Sequence, residues 1–127
     1  DYGFIPQTLS EDGDPCDVHL LTTNPTFTGC LIKARPIGIL YTSDNAGDDP
    51  KIIAALTWDV DSRWNEIHHI DNLGYHMKEE LFTIFKKIKF LGHEKYDKVE
   101  VRGFGSILEA QQEIITSMNR FFEHLKH

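Results

Sequence analysis

The apolar residues change period part-way along this chain, and that change narrows the possible folds more than any single motif. Up to Trp58, short runs rich in Val, Ile, Leu and Thr alternate with clusters of Gly, Pro, Asn and Asp, the pattern of strands joined by turns. The runs predict strands at Asp17 to Thr23, Cys30 to Arg35, Ile37 to Tyr41 and Ile52 to Trp58, separated by the turn Asn24-Pro25-Thr26 and a loop from Ser43 to Pro50. After Asn72-Leu73-Gly74, the residues Met77, Leu81, Ile84, Phe85 and Ile88 recur at helical spacing and predict an amphipathic helix. A further strand is expected from Lys98 to Phe104. Ser106 and Glu109, three apart, can cap the free amides of a last helix. Its stripe of Ala110, Ile114, Met118, Phe121, Phe122 and Leu125 runs almost to the C-terminus, where Lys126 and His127 suit the negative end of the helix dipole. The chain therefore reads as α+β, mainly β, with two C-terminal helices.

With 127 residues the chain has the size of one domain, 1–127, able to bury a core without disulfides or structural metals. It opens on Asp1-Tyr2-Gly3-Phe4-Ile5-Pro6, without an initiator Met, which reads as mid-protein sequence, so the domain is expected to be incomplete at its N-terminus. The 20 acidic residues outweigh 13 basic ones for a net charge of -7, which argues against a nucleic-acid surface and agrees with cation binding. No apolar run approaches the roughly 20 residues that span a bilayer, so no membrane partner is expected. Cys16 and Cys30 read as reduced thiols, which places the protein in the cytoplasm. The seven histidines lack ligand spacing and read mostly as surface residues.

The densest chemical feature is Glu11-Asp12-Gly13-Asp14-Pro15-Cys16-Asp17. Gly13 permits unusual backbone angles and Pro15 fixes one, so a rigid turn can aim several carboxylates at one point. Taken alone, this is more often a solvated acidic turn. An EF-hand is excluded, because its loop wants Gly at the sixth position and Glu at the twelfth, where this chain has Asp17 and Thr23. A second acidic loop, Asp44-Asn45-Ala46-Gly47-Asp48-Asp49-Pro50-Lys51, adds a lysine. All-oxygen donors suit Mg²⁺, Mn²⁺ or Ca²⁺. A lysine beside such carboxylates points to an anionic substrate, phosphate above all.

The segments Asp1 to Leu9 and Asp12 to Val18 closely resemble the signature of family I soluble inorganic pyrophosphatases, bacterial type. The stretch Ala34 to Leu40, the loop Asp44 to Lys51, the helix carrying Lys89 and the strand Lys98 to Gly103 match the same family in the same order. The resemblance implies an OB-like five-stranded β-barrel with flanking helices, and a homo-oligomer, commonly a hexamer. It implies Mg²⁺-dependent hydrolysis of pyrophosphate, with Mn²⁺ as a possible substitute. By matching positions, Asp12, Asp17, Asp44 and Asp49 would bind metal and Asp14 would act as general base, while Tyr2, Lys51 and Lys89 would hold phosphate oxygens. Asp48 matches a less central position.

One position departs from the family. A substrate-contacting Tyr precedes the helix lysine in the family pattern, and Ile88 stands there in this chain. On the spacing from Leu81 and Ile84, Ile88 reads as part of the apolar stripe. Losing one hydrogen bond to an anion costs on the order of 1 to 3 kcal/mol. The family also draws a Lys, an Arg and acidic residues from strands upstream of the segment that begins here. The competing readings are a catalytically weakened, pyrophosphatase-like subunit that binds metal and pyrophosphate, and a generic divalent-cation module.

Overall fold

The computed structural model describes residues 2–22, 27, 29–44, 47–57, 68–74, 76–81, 83 and 100–126. Six strands form one sheet: β1 (Tyr2–Ile5), β2 (Cys16–Leu21), β3 (Ala34–Asp44), β4 (Gly47–Asp48), β5 (Lys51–Leu56) and β6 (Glu100–Gly105). The strand order is β1-β2-β5-β3, with β4 on the end of β3 and β6 along its other side. β2 and β5 run parallel, and every other pair is antiparallel. Since β4 and β5 both lie along β3 in succession, the sheet is effectively five-stranded, but no ladder joins β1 to β6 among the described residues. Among the described residues the expected barrel is therefore an open sheet. Nor is Pro36 the breaker that its sequence suggests: one strand runs from Ala34 to Asp44 and absorbs the imide in a register shift between Pro36 and Gly38. Residues 30–33, expected as strand, lie before it.

Alternation along the strands, offset on β3 by the register shift between Pro36 and Gly38, divides the core into two layers. On one face Leu21, Ile37, Leu40, Ile53 and Ala55 pack with Ile70, Leu73 and Leu81. Gly38 lets Ile70 come close, since a Cβ there would stand 2.8 Å from the Ile70 Cβ. A 3₁₀ turn, Ile70–Asn72, delivers Ile70, and His69 caps it by accepting the Asp71 amide on Nδ1. Residues 76–81 are helical, as the spacing from Met77 predicts, whereas Ile84, Phe85, Ile88 and Lys89 fall outside the described residues.

On the other face Cys16, Ile39 and Ile52 pack under Ala110 of the C-terminal helix, Ile107–Leu125. The capping box forms as read: Ser106 Oγ accepts the Glu109 amide, and the Glu109 carboxylate accepts the Ser106 amide. Within the predicted stripe, Ala110 is buried and Ile114 packs on the sheet, but Met118, Phe122 and Leu125 are exposed. The buried helix face includes Ser117 instead. Each fully buried Ile or Leu of the sheet contributes roughly 1.5 to 3 kcal/mol. No described helix is long and apolar enough to cross a membrane.

Candidate active site

The acidic positions cluster where β2 and β5 begin. Asp17 faces Lys51 directly across the parallel pair, so both side chains leave the sheet on the same face. Their contact is short: Lys51 Nζ donates to Asp17 Oδ2 at 2.6 Å and to Asp49 Oδ2 at 2.5 Å. Asp49, just before β5, is fixed by its backbone. Its amide donates to the Thr42 carbonyl at 2.9 Å, and the Thr42 hydroxyl returns a bond to the Asp49 carbonyl. Tyr2 on β1, paired with His19 next along β2, lays its ring 5.6 Å from Lys51 Nζ.

Lys51 is 8% exposed and the Asp49 and Asp17 side chains are largely covered, whereas Tyr2 is 54% exposed. Burial raises the Asp49 carboxyl to about 6 even though Lys51 pulls it down, and the charges of Asp17 and Asp12 add to the rise. Burial likewise pushes the Tyr2 phenol well above its ordinary value, so it stays protonated as a donor. For Lys51 burial acts against the ammonium, but Tyr2, Asp17 and Asp49 outweigh it and hold the lysine charged. Burial also drives His19 down to about 4, leaving that imidazole neutral and off the surface where the sequence reading placed most histidines.

Asp12 and Asp14 are held differently. Residues 10–14 close on themselves: the Ser10 amide donates to the Asp14 carbonyl at 2.8 Å, the Gly13 amide to the Ser10 carbonyl at 3.0 Å, and the Asp14 amide to Asp12 Oδ1 at 3.0 Å. Gly13 has φ +88, a backbone angle that L side chains rarely adopt. Asp14 is exposed and Asp12 half-buried. Burial raises the Asp12 carboxyl, the Asp14 amide lowers it, and the charges of Asp14 and Asp17 raise it again.

The structure thus brings Asp17, Asp49, Lys51 and Tyr2 together, with Asp12 near enough to feel and perturb them. Asp44 ends β3, its backbone paired with Gly47, and only its backbone is described. Lys89 lies outside the described residues. Among the described residues no three His, Cys, Asp or Glu side chains already stand at the spacing of a metal site. Lys51 supplies the positive charge that lets Asp17 and Asp49 share one point. Sequence reasoning missed Thr42 and Thr8, which place Asp49 and the end of β1; a lone threonine in a strand carries no signal for either role.

A family model described as inorganic pyrophosphatase matches residues 1–122. The chain is 40% identical over 119 residues to the inorganic pyrophosphatase of Sulfolobus acidocaldarius, covering 94% of this chain and 68% of that protein. It is 39% identical to that of Rickettsia typhi, covering 94% and 66%. Among solved structures, the inorganic pyrophosphatase of Helicobacter pylori superposes with a TM-score of 0.89 at 32% identity, covering 94% of this chain and 69% of that one. That of Thermus thermophilus gives 0.85 at 34% identity, covering 95% and 68%. The chain spans about two thirds of the length of these relatives.

Proposed function

The chain belongs to the inorganic pyrophosphatase family, and from that premise we propose that it hydrolyses pyrophosphate to two phosphates at the cluster of Asp12, Asp14, Asp17, Asp49 and Lys51. The observation that carries this reading is the Lys51 ammonium held between Asp17 and Asp49 at 2.6 and 2.5 Å. Carboxylates this close need a cation, and a site that keeps a charged lysine dry has the chemistry to receive phosphate.

The donor set fits a hard divalent cation, because every candidate ligand is a carboxylate oxygen. Asp12, Asp17, Asp44 and Asp49 would hold Mg²⁺, with Mn²⁺ as substitute. A divalent cation held by these carboxylates would supply a lowered pKa for bound water and charge screening for phosphate. Asp14, exposed beside this group, accepts the proton of the attacking water as general base. Lys51 and the protonated Tyr2 hydroxyl are donors for phosphate oxygens, and Lys89 is assigned the same role by its sequence position. Attack is by water in line at phosphorus, so no covalent intermediate is involved.

The outer side of the C-terminal helix supports self-association. Leu108, Ile115 and Phe122 recur every seven residues with Met118 and Leu125 beside them, and all five are exposed. A homo-oligomer in the cytoplasm, of hexameric type, is the corresponding assembly.

The test is phosphate release from pyrophosphate with and without Mg²⁺. The reading expects metal-dependent release that falls by orders of magnitude in Asp14→Asn and Asp17→Asn; unchanged turnover in both variants would sink it.

A further inference from the structure

The turn that carries Asp12 and Asp14 is held at its root by the C-terminal helix. The Leu9 amide donates to the Ser117 carbonyl at 2.9 Å, and Arg120 Nη1 donates to the Leu9 carbonyl at 2.6 Å. Both backbone polar groups of one residue, three positions before Asp12, thus end on a single helix, and Arg120 lies 111 residues further along the chain. On the other side, buried Thr8 donates its hydroxyl to the Ile5 carbonyl at 2.5 Å and accepts the Cys16 amide at 2.9 Å. Gln7, between β1 and this anchor, has φ 58, in the left-handed region that is costly for an L residue. The chain therefore leaves β1 in a conformation that its surroundings must hold, and the held residue is Leu9. Water could satisfy a half-exposed carbonyl equally well. What a guanidinium adds is a charge-assisted bond of fixed direction, anchored to a packed helix.

We propose that Arg120 is a positioning residue for the acidic turn: by pinning Leu9 it holds Asp12 and Asp14 in register with Asp17 and Asp49, so that one divalent cation can be shared between turn and strands. This rests on the metal-site reading above. Charge makes the idea separable from simple electrostatics. Removing a cation from an acidic neighbourhood tightens binding of another cation by Coulomb attraction alone, whereas removing a pin weakens it.

The experiment titrates Mn²⁺ into the full chain, followed by the electron paramagnetic resonance of the free ion, for wild type, Arg120→Met and Arg120→Lys. Amide hydrogen exchange of the metal-free proteins is read in parallel at Ser10, Gly13 and, as a control in the central sheet, Ile53. The pin predicts Mn²⁺ affinity about tenfold weaker in Arg120→Met, as for loss of an outer support of a metal site. It also predicts faster exchange at Ser10 and Gly13 with Ile53 unchanged, and an intermediate affinity for Arg120→Lys, which keeps the charge and one donor. Affinity that is unchanged or tighter in Arg120→Met overturns the proposal. Should Ile53 also lose protection there, Arg120→Lys decides: weaker binding with Ile53 protected supports the pin, and wild-type affinity overturns it. A wild-type chain that takes up no Mn²⁺ removes the metal-site reading and the pin with it, which is distinct from wild type and variants binding equally well.

Discussion

Asp17 lies in β2 and Asp49 just before β5, while Asp12 and Asp14 belong to a turn, and the two pairs are held in opposite ways. The Asp17 and Asp49 carboxylates are largely covered, bound to Lys51 within 2.6 Å and held by ladder and backbone bonds. The turn pair is wetter, held by local bonds among residues 10–14, with no lysine between its carboxylates. A carboxylate covered by the sheet has to be neutralised by a partner as the protein folds, whereas one in a wetter turn is still solvated. Substitutions of Asp17, Asp49 or their lysine should therefore cost stability as well as chemistry, and those of the Asp12 and Asp14 carboxylates chemistry almost alone.

The largest effect should come from the turn. Asp14→Asn is expected to slow phosphate release at least about a hundredfold, the scale of a lost general base, while shifting stability by less than about 0.5 kcal/mol, as for an exposed surface change. Chemical denaturation alongside the assay checks both, and a large stability loss would erase the contrast. In the sheet, Lys51→Met strands two carboxylates in a largely covered site, with an expected cost of about 2 to 3 kcal/mol, the buried-pair penalty reduced for partial solvent access. Urea unfolding measures it, and added Mg²⁺ should recover part of the loss by binding the folded state. Neutral stability would mean that Asp17 and Asp49 do not need the lysine.

Acid should sharpen the same contrast. The Asp49 pKa of about 6 lies above the ordinary carboxylate value, so the folded, metal-free chain binds this proton more tightly than the unfolded one. That contribution to stability is fully present below the unfolded pKa and is lost as pH rises through about 6. The proton also competes with metal, so the rise in melting temperature produced by Mg²⁺ should be smaller at pH 5 than at pH 7.5. An equal rise at both values would place the metal away from Asp49. Smallest, Gly13→Ala forces an alanine to φ +88 and should cost about 1 kcal/mol, with weaker Mg²⁺ binding by calorimetry; a neutral effect would show that the turn relaxes freely.

Much of this was legible in the sequence where local rules dominate. The capping box at Ser106 and Glu109 and the strands starting near Asp17 and Ile52 follow from short-range chemistry. Errors came where tertiary context overrides the local signal. Pro36 reads as a break, but the register shift beside it accommodates the missing amide within a continuous strand. Gly47 and Asp48 read as loop, yet pair with the end of β3. Met118, Phe122 and Leu125 share the helical period of a core stripe, and the period cannot say which side of a helix the sheet will cover. The aspartates of the candidate site stand out in the sequence as two acidic loops. Their internal neutralisation by Lys51 and the reach of Arg120 to Leu9 were not, because both depend on long-range pairing.

On the function proposed above, turn and sheet carboxylates serve one cation. A double-mutant cycle on Mn²⁺ affinity, with Asp12→Asn, Asp49→Asn and the pair, tests it most directly. A shared site predicts that each single change weakens binding about tenfold or more and that the double variant loses clearly less than the sum of the two free energies. Losses that add independently, or an Asp12→Asn variant with wild-type affinity, would contradict it.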